Sequence, residues 1–308
     1  MVNVAILGFG VVGSGVAEVL TGNGAGISKK ADELISLKYV LDVRDFPDSP
    51  FAACFVKDFS VIEQDPEVNV VVETIGGVGA ALDFTERALK AGKSVVTSNK
   101  ELVATHGRRL LELAAEHQAV YLFEASVGGG IPILRPLSEC MAANDILEIC
   151  GILNGTANYI IDQMVKKDLD FETALTQAQA AGYAEADPSA DIDGIDTANK
   201  AMISASLAFD TICTRDFPIG GIRHLQKRDL QTFLQNGCSV RLMMEARKEE
   251  DRYAIAVVPT LIARDSLEAN VPDNFNLTTL VGSTLGELKL YGQGAGALPT
   301  GNAVVSDL

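Results

Sequence analysis

A chain of 308 residues, 47% of them hydrophobic, has the material for one large or two ordinary domains. Its net charge of −16, from 25 basic and 41 acidic residues, argues against nucleic acid or an anionic membrane as a partner. Cys54, Cys140, Cys150, Cys213 and Cys238 are scattered with no CxxC pair, as expected of reduced thiols in a cytoplasmic protein, and His106, His117 and His224 fall at no zinc-ligand spacing.

Residues 1–17 carry no charged side chain, yet the positive leading region of a signal peptide is missing and glycines interrupt the apolar run. No stretch reaches the ~18 unbroken apolar residues of a membrane span. Residues 1–7 (MVNVAIL) read as a short apolar strand. It runs into Gly8-Phe9-Gly10-Val11-Val12-Gly13 and then a helix through residue 20. Strand, GxGxxG, helix is the dinucleotide fingerprint in its proper context. Gly8 makes the tight turn, Gly10 lets a pyrophosphate approach the backbone, and Gly13 lets helix and strand pack closely. The helix N-terminus, from Val11 and Val12 onward, offers N–H donors to the phosphates.

A second strand is predicted over residues 37–43 (LKYVLDV), where a ribose-binding acid is expected. Asp42 lies within it. Arg44, just beyond, suits a 2′-phosphate and so NADP; the alternative is an ordinary surface arginine. Residues 69–74 (NVVVET) form a buried strand of parallel-sheet type, ending in Ile75-Gly76-Gly77 where the cofactor would lie. A helix over 82–91, a strand over 94–97, a helix over 101–117 and a strand over 119–123 follow. This alternation indicates a Rossmann-type doubly wound parallel sheet. Lys100 falls just past a strand's C-terminal end, on the side where such sheets bind ligands.

Residues 124–132 (EASVGGGIP) are too glycine-rich for a helix or strand interior. They mark a junction between a first domain, 1–123, and a second, 124–293, with residues 294–308 rejoining the first. In the second domain we expect a strand over 147–153 and a turn at Asn154-Gly155-Thr156. A helix from 158 has Tyr159, Ile160, Met164 and Val165 as its core face. Helices over 171–180 and 229–234 and strands over 239–245 and 253–258 complete a second α/β domain of more antiparallel character.

The stretch over 182–200 (GYAEADPSADIDGIDTANK) stands apart. It holds Glu185, Asp187, Asp191, Asp193 and Asp196, with no basic residue until Lys200. Pro188 and Gly194 make residues 182–193 a loop. A helix resumes on the period of Ile195, Ala198, Met202 and Ala205, placing Asp196 and Lys200 on one face. One reading is a solvated loop with a surface ion pair. An EF-hand reading fails, because aligning Gly194 to the obligatory glycine puts Lys200 where a bidentate Glu is needed. The third is an active site, with carboxylates holding an ammonium and tuning a proton donor. Residues 291–301 (YGQGAGALPTG) form a second glycine-rich loop. A short helix after it would close over the cofactor, against the alternative of a flexible terminus.

Together GFGVVGSGV, VVETIGG, SNKE, EASVGGGIPI, GILNGTANYI, the acidic stretch and YGQGAGALPT resemble the homoserine dehydrogenase family, in its order, from residue 8 to residue 300. The resemblance implies reversible NAD(P)H-dependent reduction of L-aspartate 4-semialdehyde to L-homoserine, toward threonine, methionine and isoleucine. It favours the active-site reading of the acidic stretch. It implies Lys200 as proton donor, Asp196 as its partner at the reacting oxygen, and Glu185 on the substrate's amino group. Thr156, Tyr183 and Asp191 would line the substrate. Lys100 would be a second lysine reaching the cofactor. Thr74, Gly76, the first glycine loop and Gly296 would contact NADP or NAD. Backbone carbonyls of Glu124, Val127, Gly129 and Ile131 would hold a structural sodium ion. A homodimer would form around the Glu124 junction and the strands before the tail. Where some members carry an acid just before Asp191, this chain has Ala190, so no contact is assigned there. No kinase in front or effector-sensing domain behind is expected, and hence no cooperative inhibition by threonine. The alternatives are another two-domain amino-acid or semialdehyde dehydrogenase and a catalytically inactive dinucleotide sensor. The joint presence of Lys100, Glu185, Asp196 and Lys200 argues against the second. A phosphorylating semialdehyde dehydrogenase ranks lower, since no cysteine sits in a nucleophile motif.

Overall fold

The computed structural model describes the backbone of residues 1–140 and 143–308, and their side chains except that of Cys140. The chain divides into two compact units, Met1–Gly130 with Gly296–Leu308, and Ile131–Ala295. The break therefore falls after Gly130, not before Glu124, and the return falls at Gly296.

In the first unit, β1 (Val2–Leu7), β2 (Ile35–Leu41), β3 (Phe55–Val56), β4 (Val68–Glu73), β5 (Ser94–Thr97) and β6 (Tyr121–Leu122) pair in the order β3-β2-β1-β4-β5-β6. Every pairing is parallel. The connections carry α1 (Val11–Gly22), α2 (Gly24–Ala31), α3 (Phe59–Gln64), α4 (Gly79–Lys90) and α5 (Lys100–Glu116). This is the doubly wound order, and its direction reverses between β1 and β4, the edge at which such folds bind dinucleotides. Val4, Ala5, Ile6 and Leu7 have no exposed surface, because helices cover both faces of a central parallel strand.

Three elements here escape the sequence reading. α2 (GAGISKKA) buries none of its residues, β3 is only two residues long, and α3 buries only Phe59 and Ile62. None shows a full hydrophobic period. β2 stops at Leu41, so Asp42 lies just past the strand and not within it. α5 starts at Lys100 because the Asn99 side chain caps it, accepting the Leu102 N–H at 3.1 Å.

The second unit contains β7 (Ile146–Ile152), α6 (Gly155–Lys166), α7 (Phe171–Ala180), α8 (Ser189–Ile192), α9 (Ile195–Ala208) and α10 (Lys227–Gln235). Then come β8 (Cys238–Glu249), β9 (Arg252–Ala263), β10 (Phe275–Gly282) and β11 (Gly286–Gln293). Its sheet runs β11-β10-β7-β8-β9, with every pairing antiparallel. The expected turn at Asn154-Gly155-Thr156 is instead the start of α6, and α8 interrupts the expected loop over 182–193. β8 and β9 extend well beyond their predicted spans as one long hairpin. β10 was not legible because it buries Asn276, Thr278 and Thr279, which break the apolar alternation.

The last helix, α11 (Ala297–Asp307), returns to the first unit and packs on α1. It is not a flexible terminus: Thr300, Gly301, Ala303, Val304 and Val305 are buried, and the Asp307 carboxylate accepts the Glu124 N–H at 2.9 Å. The contact depends on Gly15. A Cβ there would lie 2.1 Å from the Ala297 carbonyl oxygen, so Gly15→Ala would push the two helices apart. No helix among the described residues is long and apolar enough to cross a membrane.

Candidate active site

In the first unit the fingerprint glycines meet their steric demands. Gly8 has φ +90°, and a Cβ on Gly13 would lie 2.0 Å from the Gly8 carbonyl oxygen and 2.8 Å from Thr74 Oγ1. A Cβ on Gly10 would meet nothing within 4 Å, and Gly10 caps α1 without a side-chain bond. Val11, the first helical residue, is 68% exposed. The result is an open backbone cradle at a helix N-terminus, the geometry that binds phosphate. Thr74 ties β4 to this loop, donating its hydroxyl to the carbonyls of Leu7 and Gly8 at 2.9 and 3.0 Å. Gly76, in the turn after β4, has φ +83° and open space around it. Gly296 sits one residue before the Ala297 carbonyl that abuts α1.

Asp42 is buried, and both its oxygens are engaged. Oδ2 accepts the Phe9 N–H at 2.7 Å and Arg44 Nη2 at 3.0 Å, while Oδ1 accepts Arg44 N and Nε at 2.9 and 3.1 Å. The Arg44 side chain beside it holds the carboxyl well below the usual carboxylate range. Arg44 is 59% exposed and lies over the Phe46 ring at 5.1 Å. Lys57 was not singled out from the sequence. Its Nζ donates to the carbonyls of Asp42, Val43 and Arg44 at 3.1, 3.2 and 2.6 Å and so pins the turn that presents Arg44. Lys100 is the first residue of α5, held in place by the Asn99 cap.

The second unit dissects the acidic stretch. Asp187 accepts the Ser189 N–H at 3.1 Å and stabilises the start of α8. Asp193 takes a two-pronged bond from Arg223 at 2.8 and 2.7 Å, and that guanidinium lowers its pKa. Asp191 and Asp196 turn inward instead. The Asn154 amide donates to Asp191 Oδ1 at 2.7 Å and to Asp196 Oδ2 at 2.9 Å. The same Asp196 oxygen lies 3.1 Å from Lys200 Nζ, which also donates to the Leu153 carbonyl at 2.6 Å. Asp196 and Lys200 are 6% and 8% exposed, so the surface-pair reading does not hold.

Local sequence explains the arrangement. Gly194 takes φ +83° at the N-cap of α9, which turns the chain so that Asp196 and Lys200 share the inner face of that helix. The helix buries Thr197, Ala198, Ala201, Ser204 and Ala205, whereas Ile195 is exposed; small residues let it seat closely. Asn154 caps α6 by accepting the Ala157 N–H at 2.7 Å, which leaves its amide to bridge the two carboxylates. It is the main residue that sequence reasoning missed here; an Asn before Gly-Thr-Ala is an N-cap signal that reads equally as a turn. Thr156 donates its hydroxyl to the Tyr183 carbonyl at 2.6 Å, and the Tyr183 ring rests on Tyr159 at 4.8 Å. These contacts hold the start of the acidic loop against α6. Glu185 is exposed; among the described residues no side-chain bond joins it to this cluster, and its carbonyl accepts Gln179 Nε2 at 3.1 Å.

An ammonium buried between a carboxylate and a carbonyl is fit to stabilise a developing alkoxide and protonate it. In a chain that also carries a dinucleotide fold, such a group suits carbonyl reduction. Comparison with known proteins agrees. The family model for homoserine dehydrogenase matches residues 132–308, and that for the homoserine dehydrogenase NAD binding domain matches residues 8–124. A homoserine dehydrogenase of Neisseria gonorrhoeae is 40% identical over 312 residues, covering 100% of this chain and 71% of that protein. A crystal structure of the enzyme from Thiobacillus denitrificans superposes with a TM-score of 0.95 at 37% identity, covering 99% of this chain and 72% of that one. A hyperthermophilic archaeal homoserine dehydrogenase in complex with NADPH gives a TM-score of 0.83 at 26% identity, covering 99% and 96% of the two chains. With both units matched, the chain belongs to the homoserine dehydrogenase family, whose members are NAD(P)-dependent oxidoreductases.

Proposed function

We propose that the chain interconverts L-aspartate 4-semialdehyde and L-homoserine with Lys200 as the group that holds and moves the proton. Bound NAD(P)H supplies the hydride. The Lys200 ammonium stabilises the charge that grows on the aldehyde oxygen and then donates its proton there. Asp196, one helical turn away, holds that lysine through their 3.1 Å ion pair. Asn154 keeps Asp196 and Asp191 apart and oriented. Glu185, exposed and acceptor-only when ionised, receives the substrate's –NH₃⁺, with Tyr183, Thr156 and Asp191 as its surroundings. Lys100 acts with the cofactor, and Arg44 receives a 2′-phosphate. The observation that carries this reading is the buried Lys200–Asp196–Asn154 set with the half-buried Asp191 bonded to it. The test is loss of NAD(P)H absorbance on adding aspartate semialdehyde. Purified chain inactive with this substrate, yet active on another amino-acid semialdehyde, would overturn it.

The same reading includes a monovalent cation on the carbonyls of Glu124, Val127, Gly129 and Ile131. Gly129 has φ +58°, which turns the backbone sharply between them. Replacing sodium with tetramethylammonium lowers the melting temperature if the site is real; identical melting in both salts counts against it. A homodimer is part of the proposal, and sedimentation at micromolar concentration measures it directly.

A further inference from the structure

Glu73 ends β4 and has no exposed surface. The groups that meet its carboxyl are neutral. Oε1 accepts the Ile75 N–H at 2.7 Å, and Oε2 accepts the Thr97 hydroxyl at 2.6 Å. The Thr97 hydroxyl in turn accepts the Asn99 N–H at 2.9 Å, and Asn99 Nδ2 donates to the Gly77 carbonyl at 2.6 Å. With its remaining oxygen Asn99 caps α5 at the Leu102 N–H. One relay therefore runs from Glu73 through Thr97 and Asn99 to Gly77.

The relay joins the two loops that leave neighbouring parallel strands on the ligand-binding side. The β4–β5 ladder ends at the pair Glu73 and Thr97. Beyond it the backbone contributes one long bond, Ser98 N–H to the Glu73 carbonyl at 3.4 Å. Gly76 and Gly77 take φ +83° and +66°, a conformation that neither a ladder nor a side chain of their own enforces. A buried carboxyl is an expensive way to fill space, since an apolar side chain of the same volume would pack there at lower cost. Burial also raises its pKa. Its use here is as a double acceptor placed where two loops diverge.

We propose that Glu73 is a positioning residue for the reaction: through Thr97 and Asn99 it fixes the turn over residues 74–77 relative to Lys100 at the start of α5. This rests on the assignment of Thr74, Gly76 and Lys100 to the cofactor end of the site. Glu73 touches no reacting atom. It sets the geometry in which the second lysine and the nicotinamide pocket meet.

Thr97→Val removes the relay hydroxyl at constant shape, Thr97→Ser restores it, and Glu73→Gln keeps the Ile75 contact while losing an acceptor. The readouts are NADPH affinity by cofactor fluorescence without substrate, kcat, KM for aspartate semialdehyde, and melting temperature. Loss of one buried hydrogen bond in the relay weakens NADPH binding and lowers kcat by about tenfold in Thr97→Val and Glu73→Gln. The KM for the semialdehyde stays within about twofold, as for a group that does not bind substrate. Thr97→Ser recovers most of the loss. If Thr97→Val melts lower yet keeps native NADPH affinity and kcat, the relay is only structural and the proposal falls. Lys100→Ala separates the two levels. If it impairs NADPH binding and turnover while Thr97→Val does not, the positioning role alone is wrong. If Lys100→Ala itself changes neither, the assignment beneath the proposal fails and the proposal with it.

Discussion

Asn154→Ala tests how the cluster around Lys200 is held. It deletes the cap on the Ala157 N–H at 2.7 Å and the amide bonds to Asp191 and Asp196 at 2.7 and 2.9 Å. The cap is worth about 1 kcal/mol, and each bond to an ionised carboxylate about 1.5–3 kcal/mol. These losses share one side chain and do not simply add, so about 4 kcal/mol is expected in total. For a unit of this size that lowers the melting temperature by roughly 8–16 °C. Asn154→Asp distinguishes the cap from the bridge. Aspartate caps α6 as well as asparagine does, but sets a third carboxylate against Asp191 and Asp196. Turnover follows the bridge, because a Lys200 ammonium displaced by about 1 Å loses on the order of 10² in rate. Both variants therefore lose turnover, while only Asn154→Ala also loses the cap. Differential scanning calorimetry and steady-state kinetics on the two variants measure this. A native kcat in Asn154→Asp would refute the reasoning, since it would mean that Asp196 is oriented without this amide.

Arg44→Ala raises the KM for NADPH more than that for NADH, with a difference of about 1.5–3 kcal/mol from a lost charge-assisted phosphate contact; equal effects on both cofactors would remove Arg44 from the 2′-phosphate. Glu73 also sets a pH dependence. Burial raises its folded pKa above the ordinary glutamate value of 4.5, so its contribution to stability is present below that value and is lost as pH rises through the folded value. Thermal melts at about pH 5 and about pH 8 therefore shift in favour of Glu73→Gln over the native chain at the higher pH; a constant difference between the two proteins would show that the carboxyl is not raised.

The first unit was largely legible because its chemistry is local. Residues 1–13 hold an apolar strand, a fingerprint and a helix start in unbroken order, and Gly8 and Gly13 each have a steric reason. Elements without a hydrophobic period were not legible, namely α2, β3, α3 and the polar-cored β10. In the acidic stretch the sequence pairs Asp196 with Lys200 through helical spacing. It does not reveal that Arg223 occupies Asp193, or that Asn154, separated by 42 residues from Asp196, bridges the two inward carboxylates. Such long-range partners are set by how helices seat on a sheet, which no local period encodes. Glu73 was hidden for a related reason: within NVVVET it reads as one polar residue at a strand end, and its function lies in two loops across the sheet edge.

The proposed mechanism separates proton donation, by Lys200, from cofactor binding, by the first unit. Single-turnover and steady-state kinetics of Lys200→Ala, paired with direct NADPH titration, test it most directly. With Lys200 as donor, kcat falls by roughly 10²–10⁴, the usual worth of a positioned general acid, and NADPH affinity stays close to native. Near-native turnover together with collapsed NADPH affinity would contradict it and transfer the proton-donor role to Lys100.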